Sequence, residues 1–179
     1  MPKPEGLNAP ASEIAAVAEL GEEAQGILRP DVNSASFVKD LAKAGLFPDA
    51  LKMLAHALGG RKCIAWSMAC LKDLKTSTPK QEVAIAAAQK WLAEPNDANR
   101  RAAHDAAEEA KIATPAGCIA KAVFFVEGSI APKGASEVPP PAYIAEKIAA
   151  GGVQMAIVLE PREAAERYQR CLEIGLRPA

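Results

Sequence analysis

Alanine supplies 39 of the 179 residues, and tryptophan, tyrosine and phenylalanine together supply only eight. That imbalance leaves little choice of architecture. Alanine is the best helix former, while the β-branched and aromatic residues that fill pleated sheets are sparse. No segment reads as a convincing strand. An alanine stripe also lets two helix axes approach closely, so the expected core is one of helices packed on helices. With 50% hydrophobic and 24% charged residues the chain is not a disordered one. Its length suits about one domain on the usual prior of ~100 to 200 residues.

The charge balance narrows the partners. Twenty-one Lys and Arg nearly cancel 22 Asp and Glu, for a net charge of -1. No overall basic field exists to draw in nucleic acid or anionic lipid, so neither is expected as a partner. Cys63, Cys70, Cys118 and Cys171 are scattered through helical segments without the close pairing of a disulfide scaffold. They read as reduced, packed thiols. The N-terminal residues lack a basic stretch followed by an apolar run, and no segment reaches ~18 uninterrupted apolar residues, so the expected compartment is the cytoplasm and no membrane is involved.

Residues 1–10 carry three prolines and read as a flexible tail, with a single helical domain over 11–179. Ser12 is placed to cap a first helical segment, bent near Gly21 and ended at Arg29-Pro30. Asn33 or Ser34 caps a second, with Phe37, Val38 and Leu41 inward and Gly45 closing it. Leu51, Leu54, Ala55 and Leu58 recur at i, i+3, i+4 and i+7, which predicts a one-sided helix with His56 on its opposite, outer face. The Arg61 to Leu74 segment is apolar nearly all round, which places it at the centre of a bundle. Thr78 and Gln81 fit a capping box for a helix over Pro79 to Ala93. Ala98, Ala102, Ala103, Ala106, Ala107 and Ala110 predict an alanine inner face, and Thr114-Pro115 starts another helix. A close-packing point is expected at Gly151-Gly152, in a helix from about Ala142 to Leu159, and a last helix runs from Pro161 to Ile174. The fold expected is all-α: about eight short helices in an antiparallel α-α bundle or a short HEAT-like stack.

Between Gly128 and Pro141 four prolines deny a helix its amide donors. This Pro-rich connector is expected to pack along the helices and deliver Tyr143 as the first apolar anchor of the next one. Pro140-Pro141-Ala142-Tyr143 matches the P-P-x-Y pattern of peptides bound by WW-type modules, and the match is read as incidental.

The chemistry of catalysis is thinly represented. His56, Cys63 and Cys70 lie seven residues apart, unlike the close pairs of zinc sites, and a glycine pair separates His56 from the cysteines. Only His56 and His104 are available to a Cys/His nucleophilic site. No glycine-rich phosphate loop follows a strand. No catalytic residue, metal ligand or cofactor-binding residue is therefore expected.

Asp49-Ala50-Leu51, Leu54-Ala55-His56-Ala57-Leu58, Arg61, Trp66, Trp91, Asn99-Arg100-Arg101-Ala102-Ala103, Thr114-Pro115-Ala116-Gly117 and Gly128-Ser129-Ile130-Ala131-Pro132 resemble a bacterial family of small all-helical proteins of unknown function. The resemblance runs from about Glu13 to Leu176. Family members more often carry Pro where Gly59 stands, Glu at Lys62 and a second Trp at Ala65, so the chain resembles a divergent member. The resemblance implies a whole-length helical domain, brings no established catalytic residues, substrate or cofactor, and leaves function open. Within it, His56, Arg61 and Trp66 are the candidate protein-interaction residues, because a His, an Arg and a large aromatic gather near one helix corner. The function expected is a non-enzymatic cytoplasmic adaptor or accessory protein, with a bacterial secretion or other multi-protein system as its setting. Its partner would be another protein, with homo-oligomers allowed. Two alternatives stand beside it: an immunity-like or antitoxin-like inhibitor whose Glu22-Glu23 and Glu108-Glu109 clusters face a basic toxin, and an enzyme using His56.

Overall fold

A computed structural model describes residues 6–177. The first five residues of the expected tail lie outside the described residues. In chain order the helices are α1 (Ala11–Ala18), α2 (Glu22–Gly26), α3 (Ser34–Lys43), α4 (Phe47–Leu58), α5 (Gly60–Leu74), α6 (Pro79–Ala93), α7 (Asp97–Glu109), α8 (Pro115–Phe124), α9 (Ile144–Val158) and α10 (Ala164–Leu176), with one 3-10 turn at Pro161–Glu163. Among the described residues there is no strand, only an isolated bridge between Pro10 and Asn33. The fold is all-α, helices packed against helices. The chain divides into two compact units, residues 1–59 with 157–179 and residues 60–156.

In the first unit α4 packs against α1, α3 and α10. Three covering helices leave it little solvent face beyond Pro48, Asp49 and Lys52, and Ala50, Leu51, Met53, Leu54, Ala55, His56 and Ala57 are all buried. The one-sided helix expected from the leucine spacing is thus corrected: Met53 and His56 fill the side assigned to water, and Leu58 is only half-buried. Helix α3 follows its sequence closely. Asn33 accepts from Ser36 N at 2.9 Å, and Phe37, Val38 and Leu41 face inward. Residues 6–10 are tied down by backbone bonds: Gly6 N donates to Ala57 O, and Ser34 N to Ala9 O. Helix α1 starts at Ala11 behind Pro10, not at Ser12, and ends at Glu19 in the left-handed region (φ 51°). The first expected segment is therefore two helices.

In the second unit α8 takes the central place, packing against α5, α6 and α7. The sequence pointed to α5 instead, but α5 exposes Arg61, Lys62, Ala65, Ala69 and Lys72. Helix α8 is short and carries Ala116, Gly117, Ala120 and Ala122, small enough for three helices to approach it. Thr114 caps it as expected, accepting from Gly117 N at 3.2 Å. Thr78 does not cap α6 with its side chain. The neighbouring Ser77 hydroxyl holds the Glu82 carboxylate, and Gln81 Oε1 is buried without a hydrogen-bond partner among the described residues. The amide of Gly60, at the start of α5, donates to the buried Glu146 carboxylate of α9 at 2.9 Å. A carboxylate there also meets the positive end of the helix dipole.

The two glycines of α9 differ in their surroundings. A Cβ on Gly152 would lie 2.8 Å from Cys118 Cβ and 3.0 Å from Pro115 O, whereas one on Gly151 would meet nothing within 4 Å. Gly152 is where α9 closes on α8. We expect Gly151→Ala to raise stability by about 0.5–1 kcal/mol, through lost backbone freedom in the unfolded chain, and Gly152→Ala to lower it by about 1–3 kcal/mol through overpacking. Paired urea melts check the opposite signs. Trp66 is 4% exposed on α5. Its replacement by Ala should cost ~3–5 kcal/mol in the same assay, and an unchanged midpoint would contradict its place in the core.

Candidate functional site

The three residues singled out from the sequence do not present a common surface. His56 is 2% exposed in the first unit, its Nδ1–H donating to the carbonyl of Lys52 at 2.8 Å, one turn back on its own helix. Trp66 is core in the second unit. Arg61 alone is open to solvent, with its guanidinium carbon 5.6 Å from the centroid of the Trp91 ring and Nη2 3.3 Å from Glu127. Arg61 is therefore the one member able to touch a partner without rearrangement. Cys63, Cys70 and Cys171 are buried free thiols, and Cys118 is half-buried with its thiol pKa pushed up by desolvation. Among the described residues no group of three or more His, Cys, Asp or Glu could hold a metal ion.

A polar centre that the sequence pattern hid lies at Arg100. The expected alanine face of α7 is rotated: Ala98 and Ala102 are exposed, and Asn99 and Arg100 are buried beside Ala103, Ala106 and Ala107. Asn96 caps the helix, accepting from Asn99 N at 2.8 Å. Arg100 Nη1 donates to Phe124 O at 2.6 Å, and Nη2 donates to Ser129 O at 2.7 Å and to Asp97 Oδ1 at 2.6 Å. The guanidinium also lies 4.6 Å from the Phe124 ring centroid. Arg101 adds bonds to Asp97, Ser129 O and Ala131 O. Hydrogen bonds from Arg100 and then Arg101 hold the Asp97 carboxyl below its ordinary range. The one sequence signal was the Asp97, Arg100, Arg101 spacing at i, i+3 and i+4, which links a carboxylate to two guanidiniums on one helix. Replacing Arg100 with Met strands two carbonyls at about 1–3 kcal/mol each, so a loss of about 2–6 kcal/mol in urea unfolding is expected.

One turn further along α7, His104 stacks on Phe124 with centroids 4.5 Å apart. Lys121 Nζ donates to His104 Nδ1 at 2.9 Å and to Glu108 Oε1 at 2.8 Å. Nδ1 therefore accepts, and the neutral ring carries its proton on Nε2. Burial first, and then the charge of Lys121, lowers the His104 pKa from 6.5, with Arg101 adding to them and Glu108 and Asp105 opposing. A histidine that resists protonation when folded leaves the unfolded chain binding more protons at mildly acidic pH. Stability should thus fall as pH drops through 6.5 towards the lower folded value, and His104→Gln should flatten that part of the profile. Chemical melts from pH 8 down to about 5 test the slope.

Each unit also carries an open groove. In the first, Val38, Ala42, Leu172 and Leu176 line a channel of about 450 Å³ between α3 and α10, with Lys39 and Lys43 on one wall and Gln169 and Glu173 on the other. In the second, Met68, Leu71 and Ile85 floor a cleft of about 550 Å³ between α5 and α6, mixed with Lys72, Lys75, Ser77, Glu82 and Gln89. Neither was foreseen from the sequence: the first is made by helices far apart along the chain, and the second by how two consecutive helices pack.

The profile of a family of unknown function (DUF6931) matches residues 37–179. The match begins within α3 and takes in both grooves and the Arg100 centre. No curated protein and no solved structure matches the chain.

Proposed function

The chain belongs to that family of unknown function, and we propose that it is a non-enzymatic interaction protein that receives an amphipathic helix of another protein in the groove between α3 and α10. The observation that carries this reading is the composition of the groove walls. Ala42 and Leu176, half-buried above the fully packed Val38 and Leu172, give an apolar floor between two helices, the geometry in which helix-in-groove partners dock. Lys39 and Lys43, spaced i and i+4 along one wall, make no ion pair among the described residues. An incoming helix with an apolar stripe and acids at the same spacing would meet both. The lysines also suppress wrong partners, since a basic helix would meet like charge at that wall.

The cytoplasm and a multi-protein assembly, such as a secretion system, are the setting carried with the proposal. Among the described residues no helix is long and apolar enough to cross a membrane. The inhibitor alternative has less support: Glu108 of its second acidic cluster is bonded by Lys121. An enzyme built on His56 would need that buried ring to reach a substrate.

A photocrosslinking side chain placed at Ala42 in the full chain tests the reading in the source organism. Adducts should map to acidic, helix-forming segments of another protein. Lys39→Glu combined with Lys43→Glu should reduce their yield by about 2- to 30-fold, as expected for two exposed ion pairs of ~0.2–1 kcal/mol each, with the melting temperature kept. Adducts mapping to the chain itself, or a yield unaffected by charge reversal, would overturn it.

A further inference from the structure

We infer that the α3–α10 groove reads the two edges of its helical occupant differently. The edge lying along α3 must carry acids and the edge lying along α10 a lysine or arginine, and Glu173 is the residue that sets the second demand. This rests on the helix-in-groove reading and adds to it the direction in which the bound helix lies. The two walls are built alike and charged differently. On α3, Val38 and Ala42 supply the floor and Lys39 and Lys43 the rim; on α10, Leu172 and Leu176 supply the floor and Gln169 and Glu173 the rim. Each of these pairs is spaced i, i+4, so each rim is a row about one turn long above an apolar row.

Glu173 carries a charge that its own helix disfavours. It is exposed in the last turn of α10, a turn without a basic residue, where the negative end of the helix dipole meets the carboxylate. It makes no ion pair among the described residues, so neither Lys39 nor Lys43 neutralises it across the channel. Lys43 is the opposite case: it lies in the last turn of α3, where a cation is favoured. Local folding therefore accounts for the sign of Lys43 and not for that of Glu173. A base brought by the occupant supplies what the chain does not. Half-buried Ala42 leaves room above it for a large apolar anchor of the incoming helix. The residues flanking such an anchor project to opposite sides, one towards each rim, as they do beside a coiled-coil seam. Turned end for end, the same helix would set its acids against Glu173 and its bases against the lysines. The charge pattern thus admits one direction and rejects a helix that is acidic on both edges.

The photocrosslinking side chain at Ala42 of the full chain, in the source organism, tests this in a Glu173→Lys background. Adduct yield should fall by about 2- to 5-fold, as expected for one exposed ion pair. The melting temperature of the chain should hold or rise, since the same change removes a carboxylate from a helix C-terminus. The captured segment should carry acids along one edge and Lys or Arg along the other, and a probe at Gln169 should label that segment on its basic edge. Reversal of the labelled base to Glu in the captured protein should restore the yield of the Glu173→Lys chain. If Lys39→Glu with Lys43→Glu lowers the yield but Glu173→Lys does not, the groove still receives an acidic helix and the two-edged rule is overturned. A captured segment acidic on both edges overturns it as well. If neither reversal changes the yield, the helix-in-groove reading fails and the two-edged rule fails with it.

Discussion

The guanidinium of Arg100 ties the end of α8, and the Pro-rich strap that leads from it to α9, to the first turn of α7. It is 2% exposed and yet carries a full charge. Such a group persists in an interior only when its donors are met. Its acceptors are well suited to the task. Phe124 O belongs to the last residue of α8, one of the carbonyls that a helix end leaves without an intrahelical donor. That end also bears the negative pole of the helix dipole, so the cation is favoured there twice over. Ser129 O, five residues on, brings the emerging strap back against α7. The turn between them needs Gly128, at φ 75°, where a Cβ would sit 3.1 Å from Arg100 Nε. A side chain there would both strain the backbone and press on the guanidinium.

This also explains which parts of the fold were legible in the sequence. Features decided within a few residues could be read directly: the Pro79–Ala93 bounds of α6, the Asn33 and Thr114 caps, and the inward triad Phe37, Val38 and Leu41. Features decided by remote partners could not. The leucine spacing of α4 correctly marked one buried face, but α4 packs against α1, α3 and also α10, more than a hundred residues later, and His56 is buried as well. In α7 the alanines outnumbered every other candidate for the inner face, and only the carbonyls of Phe124 and Ser129 make Arg100 the better residue to bury. At α6 the capping-box pattern was present, but Ser77 bonded Glu82 and the Thr78 side chain was left out. Of the candidate interaction residues, the sequence could name chemical types that recur at interfaces. The apolar run of α5 did indicate that Trp66 lies in the core, as it does, which leaves Arg61 as the member of the set at the surface.

Alanine abundance shapes the surface as well as the interior. Large aromatic side chains usually fill the valleys between neighbouring helices, and this chain has few of them to spend. Trp91, Phe37 and Trp66 are used in the core, and Phe124 beneath the cations of Arg100, Arg101 and Lys121. Between α3 and α10 the wall residue is Ala42, and a methyl group leaves the valley open. A larger residue at that position would fill it from the chain's own side. The groove is thus a consequence of the same composition that lets Gly152 of α9 close on Cys118 of α8 elsewhere in the molecule.

Preorganisation connects these features to binding. A surface that must order itself on contact loses affinity to the entropy of that ordering, whereas one fixed beforehand does not. The walls of the α3–α10 groove are helices whose inner faces are already buried in the first unit, so their backbone is set before a partner arrives. The Pro-rich strap between α8 and α9 is likewise constrained, without regular structure. Its prolines limit the backbone from within, and Ser129, Arg100 and Arg101 fix where it leaves the helices. Removing the arginine contacts would leave the prolines as stiff as before but free to point in many directions. The stiffness of the strap is therefore encoded locally, at its prolines, while its direction depends on a buried cation about forty residues earlier in the chain.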